Sequence, residues 1–190
     1  MVPNWKNVNS IDETYYSGYP TSYQYRDTGE SSFADFEEIL ELCFENKIKL
    51  DIVFGPSNIR QWESLNFNIG FSYWMQWKKD VVLAVNKIAK QYSMKKFNVF
   101  DFSVYHNLTS QILPVNNSMK YYWDSSHYKN ELGLIVLDKL NGGTMFNNFG
   151  VSLNVNNIDK HIRTQQKNRK KYINVKEYQL RVFKSLKDLK

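Results

Sequence analysis

Apolar residues in this chain recur at two spacings, and the alternation between them predicts an order of elements. At Phe33, Phe36, Ile39, Leu40, Cys43 and Phe44 they return every three or four positions, which predicts a helix with one apolar stripe. Ser32 suits its N-cap, acids at 35, 37 and 38 suit its positive end, and it should stop near Asn46. Leu50–Phe54 is a short, β-branched run closed by Gly55-Pro56, which reads as a buried strand and a turn. A short helix is expected over Asn58–Leu65. A long one is expected over Phe71–Tyr92, with Tyr73, Trp74, Trp77, Val81, Val85, Ile88 and Tyr92 near one face. Phe97–Phe102 predicts a second strand, 103–123 a loop, and Tyr128–Leu140 a helix ended by Gly142-Gly143. Helix, strand, helix, strand, helix is α/β order, for which a parallel sheet with helical cover is expected.

Composition narrows the class. A chain of 190 residues with 42% apolar and 16% aromatic content is long and apolar enough for a real core. Three parts are expected: an extended or loop segment at 1–30, an α/β body at 31–150, and a basic helical tail at 151–190 packed on the body. The net charge of +6 belongs to the tail. From Asp159 onward there are 11 lysines and arginines against 3 acids, whereas the preceding residues carry 14 basic and 16 acidic groups. The tail's Lys160, Arg163, Lys167, Arg169, Lys170, Lys171 and Lys176 raise a nucleic-acid or lipid-binding class. The apolar residues interleaved with them, Ile158, Ile162, Tyr172 and Ile173 among them, point instead to packed amphipathic helices. No apolar run is long enough to cross a membrane, and Met1–Lys6 is not a signal peptide. The single Cys43 lies on the first helix's apolar stripe and reads as a small buried hydrophobe. With one cysteine there is no internal disulfide and no multi-cysteine metal site. Trp62, Trp74 and Trp77 read as core. Neither a phosphate-cradling loop nor a dinucleotide fingerprint is present, so no cofactor and no metal are expected.

The candidate chemistry is concentrated in Trp123-Asp124-Ser125-Ser126-His127. A catalytic histidine needs a carboxylate to fix its tautomer and stabilise its protonated form. Asp124 and His127, three residues apart, supply that pair within one turn of chain. The bland alternative is an Asp that caps the following helix. Sites in parallel α/β sheets form at the C-terminal ends of strands. Gly55-Pro56-Ser57-Asn58, Asp101 with Ser103, and the Asp124–His127 loop could therefore converge on one crevice. There Ser57 is the best local candidate for a nucleophile and Asn58 for a donor to substrate, although a structural turn serine is the default. Ser125 and Ser126 read as helix-capping residues. His106 and His161 have no neighbour at metal-ligand spacing and read as ordinary surface or loop residues.

Trp-Asp-Ser-Ser-His-Tyr with a downstream glycine resembles the last conserved block of the SGNH (GDSL-like) hydrolases, which carries a catalytic Asp-x-x-His. Phe-Gly-Pro-Ser-Asn-Ile-Arg-Gln-Trp-Glu, Tyr-Tyr-Trp-Asp-Ser-Ser-His-Tyr and Phe-Gly-Val-Ser-Leu-Asn-Val-Asn-Asn-Ile-Asp-Lys-His-Ile are similar to a group of bacterial SGNH-like proteins, over roughly residues 30–185. The resemblance implies a three-layer α/β/α fold with a parallel sheet, and a serine esterase or O-acyl transferase activity. Asp124 and His127 would be its acid–base pair. It also implies a serine nucleophile and oxyanion-donating glycine and asparagine upstream of residue 30, where none is found. The chain is accordingly expected to be the C-terminal part of a longer or shortened protein, inactive alone, with an exposed sheet edge and a tendency to oligomerise. The alternative is a non-catalytic fragment or a binding module using the basic tail. Expected partners are a small acyl ester or an O-acylated glycan. The location would be cytoplasmic if the chain is whole, or the cell envelope if an N-terminal anchor of the kind common in that group is missing.

Overall fold

The computed structural model describes residues 23–111 and 118–172. Most of the expected 1–30 segment and the tail beyond Tyr172 lie outside them. Residues 23–31 fold back as a tight turn, with Tyr25 N–H donating to Glu30 C=O and Gly29 N–H to Tyr25 C=O.

Among the described residues, five helices and three strands follow in the order α1 (Ser32–Glu45), β1 (Asp51–Phe54), α2 (Ile59–Ile69), α3 (Phe71–Gln91), β2 (Asn98–Asp101), α4 (Asn130–Leu140), β3 (Val151–Leu153) and α5 (Ile158–Tyr172). Helix α1 is capped by Ser31, one residue before the expected cap, whose hydroxyl accepts from Phe33 N–H. Its stripe buries Leu40, Cys43 and Phe44, while Ile39 remains about half exposed. In α3, Val81, Val85 and Ile88 are buried as expected, but Tyr73 is exposed and the inward position one turn after Trp74 is held by Lys78.

The architecture is α/β, as expected, but the sheet is mixed rather than parallel. β1 pairs with β2 in parallel, Ile52 opposite Val99 and Phe54 opposite Asp101. β3 pairs with the other side of β2 antiparallel, Leu153 opposite Val99 and Val151 opposite Asp101. The cause is local. After α4 the chain turns at Gly150, where φ is +79°, a left-handed conformation open to glycine at little cost. A Cβ at this position would run into the Phe102 ring. The turn feeds a three-residue strand back along β2.

Successive residues of β2 point to opposite faces of the sheet. Val99 joins a core with Leu40 and Phe44 of α1, Val81, Val85 and Ile88 of α3, and Ile158 of α5. Phe100 packs against a second core of Phe102, Tyr122, Leu132, Val136 and Phe149. A third cluster, Ile59, Trp62 and Tyr105, fills the space beyond the strand ends. Among the described residues, no helix is long and apolar enough to cross a membrane.

Candidate active site

The segment from Tyr121 to Lys129 is a small hairpin rather than the start of a helix. Tyr122 and Tyr128 form an antiparallel bridge. On either side of it Trp123 N–H donates to His127 C=O at 2.9 Å and Lys129 N–H to Tyr121 C=O at 2.8 Å. Helix α4 starts only at Asn130, with Lys129 at the N-cap position and no side-chain cap. Asp124, Ser125 and Ser126 therefore do not cap that helix. Asp124 instead closes its own turn: one carboxylate oxygen, Oδ1, accepts from the backbone N–H of Ser126 and of His127, both at 2.7 Å. This is the short-range side-chain turn that Asp favours.

The other carboxylate oxygen reaches the imidazole. Asp124 Oδ2 lies 2.7 Å from His127 Nδ1. The Ser126 hydroxyl is 2.9 Å from both Asp124 Oδ1 and His127 Nδ1. Asp124 is mostly enclosed, whereas 73% of the His127 side chain is exposed. Burial acts to raise the Asp124 carboxyl. The hydrogen bonds from His127 and Ser126 outweigh it and hold the group below its usual range, so it is a carboxylate at neutral pH. In the tautomer whose Nδ1–H donates to that carboxylate, Nε2 carries the lone pair, and among the described residues Nε2 makes no hydrogen bond.

Ser57 and Asn58 follow β1. Ser57 lines a crevice of about 170 Å³ with Val53, Phe54, Gly55, Gln61, Trp74, Trp77, Ser103, Ser126 and Tyr128. The ends of β1 and β2 and the Asp124–His127 hairpin thus meet at one depression. The Ser57 hydroxyl accepts from the Trp62 indole N–H at 2.7 Å. Asn58 is buried: its side-chain oxygen caps α2 through Arg60 N–H, its amide donates to Gln111 C=O, and its own N–H donates to Ser125 C=O. Its side chain is spent on α2 and Gln111 and its backbone on Ser125, so the residue ties three segments together. Trp62 is core, as expected, whereas Trp74 and Trp77 also form crevice wall.

Behind that wall lies a charged cluster that the sequence reading missed. Lys78 is fully buried, and its ammonium donates to both Asp101 oxygens, at 2.9 and 2.7 Å, and to Ser103 C=O at 2.9 Å. The rings of Phe54, Trp62 and Trp74 surround it at 5.4–5.9 Å. Asp101 also accepts from Ser103 N–H and hydroxyl and meets His161 Nε2 at 2.7 Å. Burial acts to raise the Asp101 carboxyl, but Lys78 and His161 overcome it and keep the group below its usual range; burial pushes Lys78 down. His161 is therefore not a surface residue. From α5 it inserts into the core because Asp101, 60 residues earlier, supplies its partner. His106 does lie in a loop, half-buried, with Nδ1 accepting from Leu108 N–H, and desolvation lowers its pKa.

One turn and two turns beyond His161, Gln165 accepts from Tyr105 N–H, and Arg169 forms a two-bond fork to Glu63 at 2.8 and 2.6 Å. Glu63 is fully buried and also accepts from the Tyr105 hydroxyl at 2.7 Å. No sequence pattern links residues so far apart. The signal that could have found them is the i, i+4, i+8 spacing of His161, Gln165 and Arg169 on one helix face. Among the described residues, no three His, Cys, Asp or Glu side chains group as a metal site would need. The chain matches no protein-family model, no curated protein and no solved structure.

Proposed function

We propose that Asp124 and His127 are the acid–base half of a serine-hydrolase site of the SGNH type, acting in ester hydrolysis or O-acyl transfer, in a chain built on the second half of that three-layer α/β/α fold. The observation that carries the reading is the 2.7 Å contact from Asp124 Oδ2 to His127 Nδ1, made within a turn that leaves Nε2 open to an incoming group. His127 Nε2 takes the proton of a serine hydroxyl as that oxygen attacks the ester carbonyl, then gives it to the departing alcohol. Asp124 holds the imidazole and stabilises its protonated form.

Three nearby hydroxyls are already engaged. Ser57 is bonded to Trp62, Ser103 to Asp101 and Ser126 to Asp124. The reading therefore places the nucleophile and the oxyanion donors outside the described residues. The test is turnover of 4-nitrophenyl acetate by the wild-type protein and by His127→Ala, each joined to a segment that supplies a serine nucleophile and its oxyanion donors. General acid–base catalysis contributes roughly 10²–10⁴-fold, and the variant should lose at least the lower figure. Equal rates in the two proteins refute the reading.

A second reading, binding of an anion by the basic tail, is favoured by a cavity of about 400 Å³ between α5 and the loop after β2. Lys160, Lys171, His106, His161 and Asn168 are among its lining residues. It predicts a steep loss of affinity with salt.

A further inference from the structure

We infer that the cavity beside α5 takes one base of a single-stranded nucleic acid, while the phosphates of the strand run along the exposed cations of that helix. The inference rests on the reading of α5 as an anion-binding surface and names the anion.

At 3.6 residues and 5.4 Å per turn, Lys160, Arg163, Lys167, Lys170 and Lys171 fall within about 100° of the α5 circumference and span about 16 Å of its axis. All five are exposed, and none forms an ion pair among the described residues. Asp159, whose charge Arg163 also feels, is held by Lys79 at 2.8 Å. A line of unpaired cations this long matches a chain of charges rather than a single one. None of the exposed large apolar side chains among the described residues lies on α5, so this face has nothing to insert into a lipid surface.

The cavity runs along one border of the row, and Lys160 and Lys171 belong to both. No acid is among its lining residues, and its volume of about 400 Å³ falls within the roughly 300–1,000 Å³ of ligand pockets. Its lining includes two polar side chains that the fold leaves half used. Gln165 is only 3% exposed; its carboxamide oxygen accepts from Tyr105 N–H at 3.0 Å, and its NH2 has no partner among the described residues. One turn earlier, His161 Nε2 meets the Asp101 carboxylate at 2.7 Å. A carboxylate only accepts, so in the neutral imidazole Nε2 carries the proton and Nδ1 a lone pair, again without a partner among the described residues. Buried polar groups left in this state favour a ligand that pairs them.

The two groups select a base. A donor and an acceptor stand one helical turn apart, and the Watson–Crick edge of each nucleobase carries an acceptor beside a donor. The rings of His106 and Tyr172 also line the cavity, and His106 is fixed by bonds with Leu108 N–H and Asn148. Stacking on such rings tolerates any base. A polyanion without bases would use the row and leave the cavity empty, and a duplex would keep its bases out of reach.

The test measures fluorescence anisotropy of the full chain with a labelled thymidine dodecamer, with an abasic strand carrying the same phosphates, and with a DNA duplex of equal length. Wild type is compared with Lys167→Ala/Lys170→Ala, with Gln165→Glu and with Asn168→Leu, each fold checked by circular dichroism. Gln165→Glu keeps the acceptor for Tyr105 and deletes the donor. Asn168→Leu alters the lining without touching that bond, so it decides the matter if Gln165→Glu does not fold. The expected result is at least tenfold tighter binding of the thymidine strand than of the abasic strand or the duplex, a preference that falls below threefold in each folded cavity variant. The lysine variant should keep the preference, weaken both strands and reduce the slope of log K against log salt by roughly 1.4, at about 0.7 per phosphate contact. Equal affinity for thymidine and abasic strands, a duplex bound as tightly as the single strand, or a preference unchanged in a folded cavity variant overturns the inference, while a steep salt dependence would still uphold the anion-binding reading. Binding that is absent, or flat in salt, overturns both.

Discussion

Replacing Asp101 with asparagine isolates a buried charge without changing volume. In the wild type the Lys78 ammonium spends all three protons on Asp101 and Ser103 C=O, and neither charged side chain has any exposed surface. The amide in the Asp101→Asn protein can still bond Ser103 and His161 but cannot balance the ammonium. Removing one partner of a buried pair costs about 3–5 kcal/mol. That is a large share of the ~5–15 kcal/mol that holds a domain together, and it should lower Tm by roughly 6–20 °C. The pH dependence follows from the shifts. Asp101 is held below its usual range, so its contribution is present above the unfolded carboxyl value of about 3.9 and is lost as pH falls through the lower folded value. The neutral amide has nothing to lose there, so the gap between the proteins should close in acid. Lys78 is pushed down by burial, and more so without its counter-ion, so raising the pH discharges it in the folded variant first. The gap should narrow again on the alkaline side. Urea titrations at a series of pH values from acid to alkaline follow both limbs. Lys78→Met combined with Asp101→Asn should recover at least half of the loss, because no unpaired charge remains. A single variant within about 1 kcal/mol of wild type at neutral pH would refute the reasoning.

Two further outcomes are expected. Gly150→Ala should cost about 2 kcal/mol or more, since the left-handed backbone alone costs ~1–2 kcal/mol and the new methyl displaces the Phe102 ring; an unchanged urea midpoint would contradict this. Arg169→Ala strips the buried Glu63 carboxylate of its fork, at a cost of about 3 kcal/mol, and should raise amide exchange in α5 well above that in α3; equal protection in the two helices would show that α5 is held by its apolar contacts alone.

The elements legible in the sequence are those whose signal is local. The stripes of α1 and α3, the Gly55-Pro56 stop and the Asp124–His127 turn are each carried by neighbouring residues, and a pattern read along the chain captures them. β3 escaped because a strand of three residues cannot display a period. The expected parallel sheet failed for the same reason. Lys78, Glu63 and His161 escaped because composition places charged residues outside, and only partners 23, 106 and 60 residues away make their burial tolerable. Asn58 was read as facing a crevice because the strand end points there, but a backbone carbonyl at Gln111 claims its amide first.

The i, i+4, i+8 stripe of α5 also bears on when this body can form during synthesis. His161, Gln165 and Arg169 contact Asp101, Tyr105 and Glu63, which leave the ribosome 60 or more residues earlier. Until α5 emerges, Glu63 has, among the described residues, the Tyr105 hydroxyl but not the Arg169 fork, and Asp101 at the end of β2 lacks His161. A portion that has α1 to α4 in hand still holds the Glu63 carboxylate without its guanidinium partner, so it has reason to stay open and to wait. Among the described elements, the order of translation thus makes α5 the last to arrive and the one that closes this cluster.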